Sequence, residues 1–204
     1  TDDFVDDYST ILPIFKTGNL KESKKAHPYM DKAIQKGSVV IQKHSIKIRG
    51  KEYCKWIDDN YFMVGKAYFY KGEFDEAIKT FVFIADEYKK SFISYDALLW
   101  LSRCYLEKGD FASSEAVLID LENNRKFPEE LEKDYEIITA DLYLRQGNLP
   151  LAKSAILNCL KKHKVGKDKA RLNFILGQIY QLEEQYGRAS HHYEKVLKLS
   201  LIHI

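Results

Sequence analysis

The chain has 204 residues, 45% of them hydrophobic and 30% charged, so it can bury a core and is not disordered by composition. Its net charge of +2 gives no argument for nucleic acid, no run reaches the length of a membrane-spanning helix, and no signal peptide opens it. Cys54, Cys104 and Cys159 are odd in number and form no CxxC, which argues against a disulfide framework or a zinc knuckle.

In chain order, Tyr8–Phe15 contains Pro13 and reads as a loop or short helix left from an earlier unit. Tyr29–Ser45 is predicted helical, with apolar Met30, Ala33, Ile34, Val40 and Ile41, as the second half of an incomplete repeat. Residues 21–56 are basic: nine Lys and one Arg against Glu22, Asp31 and Glu52 leave +7. Eight helices then follow in pairs: Ile57–Tyr70 with Phe74–Tyr88, Tyr95–Glu107 with Phe111–Asn123, Pro128–Arg145 with Leu149–His163, and Lys167–Leu182 with Tyr186–Leu199. Pro128 and Pro150 sit at or near first-turn positions, where a missing N–H costs nothing.

The pairing rests on one repeated register. Tyr68, Tyr105, Tyr143 and Tyr180 are 37 or 38 residues apart. Three residues before each stands a small residue, Gly65, Ser102, Ala140 or Gly177, which lets a partner helix approach. Gly72, Gly109 and Gly147 follow the first three tyrosines, where a helix ends with positive φ, and Glu184 takes that place in the fourth copy. Ala77, Ser114, Ala152 and Ala189 then open each second helix to its partner, and Phe81, Leu118, Ile156 and Tyr193 fill the space. Such a pattern implies an all-α, tetratricopeptide-repeat-like right-handed α-solenoid of antiparallel helix pairs, with units longer than the usual 34 residues. The longer period is expected in the links at Asn123–Pro128 and His163–Lys167. The expected organisation is residues 1–56 as a loop and incomplete repeat, four repeats at 57–94, 95–127, 128–166 and 167–199, and an anomalous tail at 200–204.

The segments Met30–Ser38 (MDKAIQKGS), Ile41–Gly50 (IQKHSIKIRG), Trp56–Tyr61 (WIDDNY) and Gly65–Phe74 (GKAYFYKGEF) carry a resemblance to a known family. They resemble the SprE/PorW-type tetratricopeptide repeat lipoproteins of Bacteroidetes gliding motility and type IX secretion, and Asp7–Phe15 is similar to the stretch that precedes them there. The resemblance implies a non-catalytic protein–protein interaction scaffold in the periplasm, tethered to the outer membrane by a lipid on a Cys upstream of this chain. Membrane contact would come only through that anchor. The alternative is a generic cytoplasmic tetratricopeptide adaptor, which three unpaired cysteines also fit.

Motifs for chemistry are missing from the sequence. There is no HExxH, no GxxxxGK[ST], no GxGxxG and no GxSxG, and adjacent His191 and His192 point about 100° apart on a helix. No catalytic residue, metal or cofactor is expected. The sites expected to matter are surfaces for other proteins, not for nucleic acid. On the concave face, lined by first helices, the register exposes Phe62, Lys66, Phe69, Tyr70, Trp100, Arg103, Glu107, Asp141, Arg145 and Gln178. Together with Met63, Leu99, Leu106, Ile137, Ile138, Leu144, Phe174, Ile175, Gln181 and Leu182 at the neighbouring exposed positions, that set is apolar for a solvent-facing groove, which points to a bound partner: an amphipathic helix or a neighbouring segment of the same polypeptide. The alternative is that several of these side chains pack within the repeats. A second candidate is the basic loop with His44, Lys47 and Arg49, whose competing reading is a tight connection with Ile46 and Ile48 tucked inward.

Overall fold

A computed structural model describes residues 10–15, 20–89, 91–162 and 168–201. The expected link at 163–167, the residues before Thr10 and those after Leu201 lie outside the described residues. Among those described are nine α-helices: α1 (Leu20–His44), α2 (Ile57–Lys71), α3 (Phe74–Glu87), α4 (Phe92–Lys108), α5 (Phe111–Glu122), α6 (Glu132–Arg145), α7 (Leu149–Lys162), α8 (Asp168–Leu182) and α9 (Tyr186–Leu201). A two-stranded hairpin, β1 (Lys47–Ile48) and β2 (Lys51–Glu52), joins α1 to α2.

Helix boundaries differ from expectation by three or more residues in three places. The leading helix starts at Leu20 rather than Tyr29, with Pro28 inside it. One lost backbone hydrogen bond does not stop a helix whose flanking Lys, Glu and Ala residues favour it. α4 starts at Phe92 rather than Tyr95, after Ser91 in extended conformation. The third repeat opens with a 3-10 turn, Glu129–Leu131, ahead of α6.

The chain divides into two compact units, one spanning Gly18–Leu131 and one spanning Thr1–Thr17 with Glu132–Ile204. In the first, α1 to α5 pack in sequence. Gly37 of α1 leaves no room for a Cβ, which would lie 2.6 Å from Val64 of α2. Gly65 of α2 lies against Phe81 of α3 in the same way, and Phe81, Ala77, Ile84, Ala97 and Cys104 form the fully buried centre. Ser102 and Ser114, the small residues of the second pair, meet through a buried hydroxyl–hydroxyl bond of 2.8 Å.

In the second unit, α6 to α9 bury Ile137, Ala140, Ile156, Cys159, Ile175, Ile179 and Ala189, and the described part of the opening segment packs on that core through Leu12 and Ile14. Grouped by sequence with the leading helix, this segment instead seats on α6 and α8.

Each first helix ends identically. The N–H of Gly72, Gly109, Gly147 or Glu184 donates to the carbonyl three residues back. The next N–H reaches the carbonyl of the register tyrosine, Tyr68, Tyr105, Tyr143 or Tyr180. This Schellman geometry puts the turn residue at φ 78°, 75°, 74° and, in Glu184, 57°. The tyrosine rings are half-buried in three repeats and buried in the fourth.

Candidate functional site

One register position in each first helix, two residues before the tyrosine and expected on the open face, holds Lys66, Arg103, Asp141 and Gln178. The structure gives this position two different uses, one in each unit.

In the unit of α1 to α5 the position holds cations around an indole. Trp100 lies between Lys66, whose Nζ is 4.8 Å from the ring centre, and Arg103, whose guanidinium carbon is 4.3 Å from it. Phe62, Phe69 and Tyr70 meet Trp100 edge-on at 6.4, 5.2 and 5.8 Å. Cation–π pairing and edge-to-face contacts thus order a patch in which Tyr70 is about half exposed. Phe69, expected on the partner-facing surface, is only 5% exposed, because it closes the seam against Phe74 and Trp100. Glu107, a turn beyond Arg103, is half-buried.

In the unit of α6 to α9 the same position grips main chain. The side-chain amide of Gln178 accepts a hydrogen bond from the Leu12 N–H at 3.0 Å and donates one to the Thr10 carbonyl at 2.7 Å. Asp141 accepts the Ile14 N–H at 3.3 Å, and Arg171 donates to the Pro13 carbonyl at 2.8 Å. Arg145 pairs with the other Asp141 oxygen at 2.8 Å, which balances a carboxylate that is 0% exposed. Leu12 and Ile14, two residues apart, point into the core, while Pro13 between them is exposed. Asp141 and Gln178 are therefore buried where the register placed them on an open face, and the cover is the chain's own opening segment. Beside Thr10 and Ile11 a cavity of about 250 Å3 is lined by Phe174, Gln181, Leu182 and Tyr193.

Sequence reasoning missed Arg171, Leu12 and Ile14. A signal was present: the residue before a proline is pushed to extended conformation, and Leu-Pro-Ile places two apolar side chains on one side of an extended strand.

The basic loop is the hairpin of β1 and β2, turned by Arg49 and Gly50 at φ 52° and 77°. Glu52 ties its base. Its carboxylate accepts the Ser45 hydroxyl and the N–H groups of Ile46 and Cys54, the latter two at 2.9 and 2.8 Å. The Ser45 bond, above all, lowers its pKa to about 2. Lys47 is engaged, 2.8 Å from Glu87 of α3, whereas His44 and Arg49 are exposed. Ile46 and Ile48 are not tucked inward: they are 56% and 53% exposed.

Cys104 and Cys159 are buried, and burial raises their thiol pKa values to about 12 and about 11. They behave as small core hydrophobes. Among the described residues no group of three His, Cys, Asp or Glu is placed to hold a metal, and no helix is long and apolar enough to cross a membrane.

Comparison with known families adds a name to this geometry. Residues 62–121 match one tetratricopeptide repeat model, and residues 170–203 match another. The matched segments are tetratricopeptide repeats. Tetratricopeptide-like structures also resemble the whole fold. A MamA RS-1 ArsTM double mutant aligns with a TM-score of 0.62 at 12% identity, over 92% of this chain and 98% of that one. BtubC from P. vanneervenii gives 0.61 at 15%, over 89% and 74%. A putative kinesin light chain of Podosopora anserina with nearly identical TPR-like repeats gives 0.59 at 14%, over 89% and 92%. At such identities the likeness is one of fold: an all-α, tetratricopeptide-like solenoid. No curated protein matches the sequence.

Proposed function

We propose that this protein is a non-catalytic scaffold that binds other proteins on the first-helix faces of its tetratricopeptide repeats. One observation carries the reading: on α6 and α8 such a face already holds an extended stretch of polypeptide, through Asp141, Gln178 and Arg171. The corresponding face of α2 and α4 carries Trp100, Lys66 and Arg103, with Tyr70 and Met63 open to solvent. Aromatic and arginine side chains at a rigid patch are the usual anchors of an interface. The test is capture of partners from a native extract by the wild type and by Trp100→Ala plus Arg103→Glu. Loss of the captured set is expected. Undiminished recovery would remove this face as the binding surface.

The finer reading rests on the sequence resemblance. The scaffold would serve the type IX secretion and gliding machinery as a periplasmic component, tethered to the outer membrane by a lipid upstream of this chain. The basic hairpin with His44, Lys47 and Arg49 would be a second contact for its neighbours. The cytoplasmic-adaptor reading draws on unpaired Cys54, Cys104 and Cys159. That argument is weak, because two of the three thiols are buried and inert in either compartment. An upstream gene sequence ending in a lipid-modified Cys, with outer-membrane fractionation of the product, supports the first reading. A cytosolic product supports the second.

A further inference from the structure

We propose that residues Thr10–Phe15 are a built-in competitor, and that the groove on α6 and α8 takes in trans an extended peptide of the same character, apolar at two positions two residues apart. This deepens the scaffold reading and rests on it.

The hydrogen bonds define what the groove reads. Four of them go to main-chain atoms of the segment: the N–H groups of Leu12 and Ile14 and the carbonyls of Thr10 and Pro13. Gln178 pairs with one carbonyl and with the N–H two residues on, as a neighbouring β-strand would. Main-chain recognition accepts any extended chain. The side chains supply the selection: Leu12 and Ile14 are buried, and Ile11 and Phe15 pack on the same core while partly exposed. Pro13 is compatible because the groove uses its carbonyl and asks for no N–H there.

The groove is also built for this occupant. Asp141 is held by Arg145 in a position to accept an N–H, so the acceptor that reads the segment is oriented by the groove itself rather than by its occupant. Because the segment is covalently joined, its effective concentration at the groove is high, and an incoming peptide binds only as it displaces it. Binding in trans is weakened accordingly, and whatever draws the segment away opens the site.

The test uses a fluorescein-labelled peptide of sequence TILPIF, read by anisotropy on the full chain and on the variant Leu12→Asp plus Ile14→Asp, with circular dichroism to confirm folding. The variant is expected to bind about tenfold or more tightly than the wild type, through relief of the intramolecular competition. A peptide with Asp at the places of Leu12 and Ile14, TIDPDF, is expected to bind neither. In parallel, hydrogen exchange of the wild type with excess unlabelled peptide is expected to show faster exchange at the Leu12 and Ile14 amides, which keeps the question open to disproof if the variant does not fold. Equal affinity in both proteins, or no binding with unchanged exchange, overturns the inference. So does a concentration-dependent dimer by light scattering, which would make a second copy's segment the occupant. The capture experiment on Trp100 and Arg103 reads the other unit, so the scaffold reading can survive failure here.

Discussion

At the scale of single residues, the register works by excluding atoms. A Cβ on Gly65 would stand 2.8 Å from a ring carbon of Phe81, which is fully buried and has nowhere to move. Gly65→Ala is therefore expected to cost about 1–3 kcal/mol of stability, read from urea denaturation. A Cβ on Gly177 would stand closer still to Tyr193, at 2.4 Å, but that ring is half-buried and can swing outward at the expense of its bond to Gln181, so Gly177→Ala should cost less. A larger loss at Gly177 than at Gly65 would contradict this account. His192 gives a second residue-scale expectation. It is buried, stacked on Tyr180, and 3.0 Å from the Asn173 carbonyl oxygen. The Asn173 amide nitrogen is committed to the Lys169 carbonyl, so the neutral His192 donates from Nδ1. Burial, aided by the nearby charges of Lys195 and His191, lowers its pKa to about 4. The unfolded chain takes up this proton near pH 6.5, before the folded one does. The stability from neutral His192 is thus complete above about pH 6.5 and is lost as pH falls towards 4. Melting temperatures between pH 7 and 4.5 should fall more steeply in the wild type than in His192→Phe, and parallel slopes would refute the assignment.

At the scale of elements, what the sequence made legible was the repeat, and the reason is physical. Each first helix must end in a left-handed residue five positions before the next helix interface, so Tyr, Gly and a small residue recur at fixed offsets and can be counted. The fourth copy shows the strength of that demand. Glu184 adopts φ 57° and makes the same pair of backbone bonds as the three glycines, although a Cβ is disfavoured there. Glu184→Gly should accordingly raise stability by about 1 kcal/mol in thermal or urea unfolding, whereas Gly109→Glu should lower it by a similar amount. If neither changed, strain at the turn would not be what the glycines relieve. The elements read wrongly were those whose ends are not set by the repeat. The leading helix, expected from Tyr29, begins at Leu20 with Pro28 inside it, and the basic loop closes as a hairpin because Arg49 and Gly50 both take positive φ and Glu52 ties Ser45, Ile46 and Cys54 together.

At the scale of the whole molecule, one register position carries two chemistries, and this was half visible beforehand. The sequence showed Lys66 and Arg103 in one pair of repeats and Asp141 and Gln178 in the other. It did not show that the second pair is occupied, because the occupant is more than 120 residues away and its signal is only Leu-Pro-Ile. The division has a measurable consequence. Lys66 and Arg103 offer positive charge on a partly exposed surface, so any acidic partner they draw is attracted through solvent and is screened by salt. The α6 and α8 groove offers hydrogen bonds to main chain and contacts for two apolar side chains, and its one buried carboxylate is already neutralised by Arg145. Raising sodium chloride from about 0.1 M to about 1 M shortens the screening length from about 10 Å to about 3 Å. Capture that depends on Arg103 should then decline severalfold, while the anisotropy-measured affinity of TILPIF for the Leu12→Asp plus Ile14→Asp chain should stay within about twofold, since the groove's hydrogen bonds and apolar contacts do not act across a Debye length. Equal declines on both faces would mean that charge, rather than main-chain recognition, holds the extended peptide, and the two halves of the register would then have to be read as one kind of site.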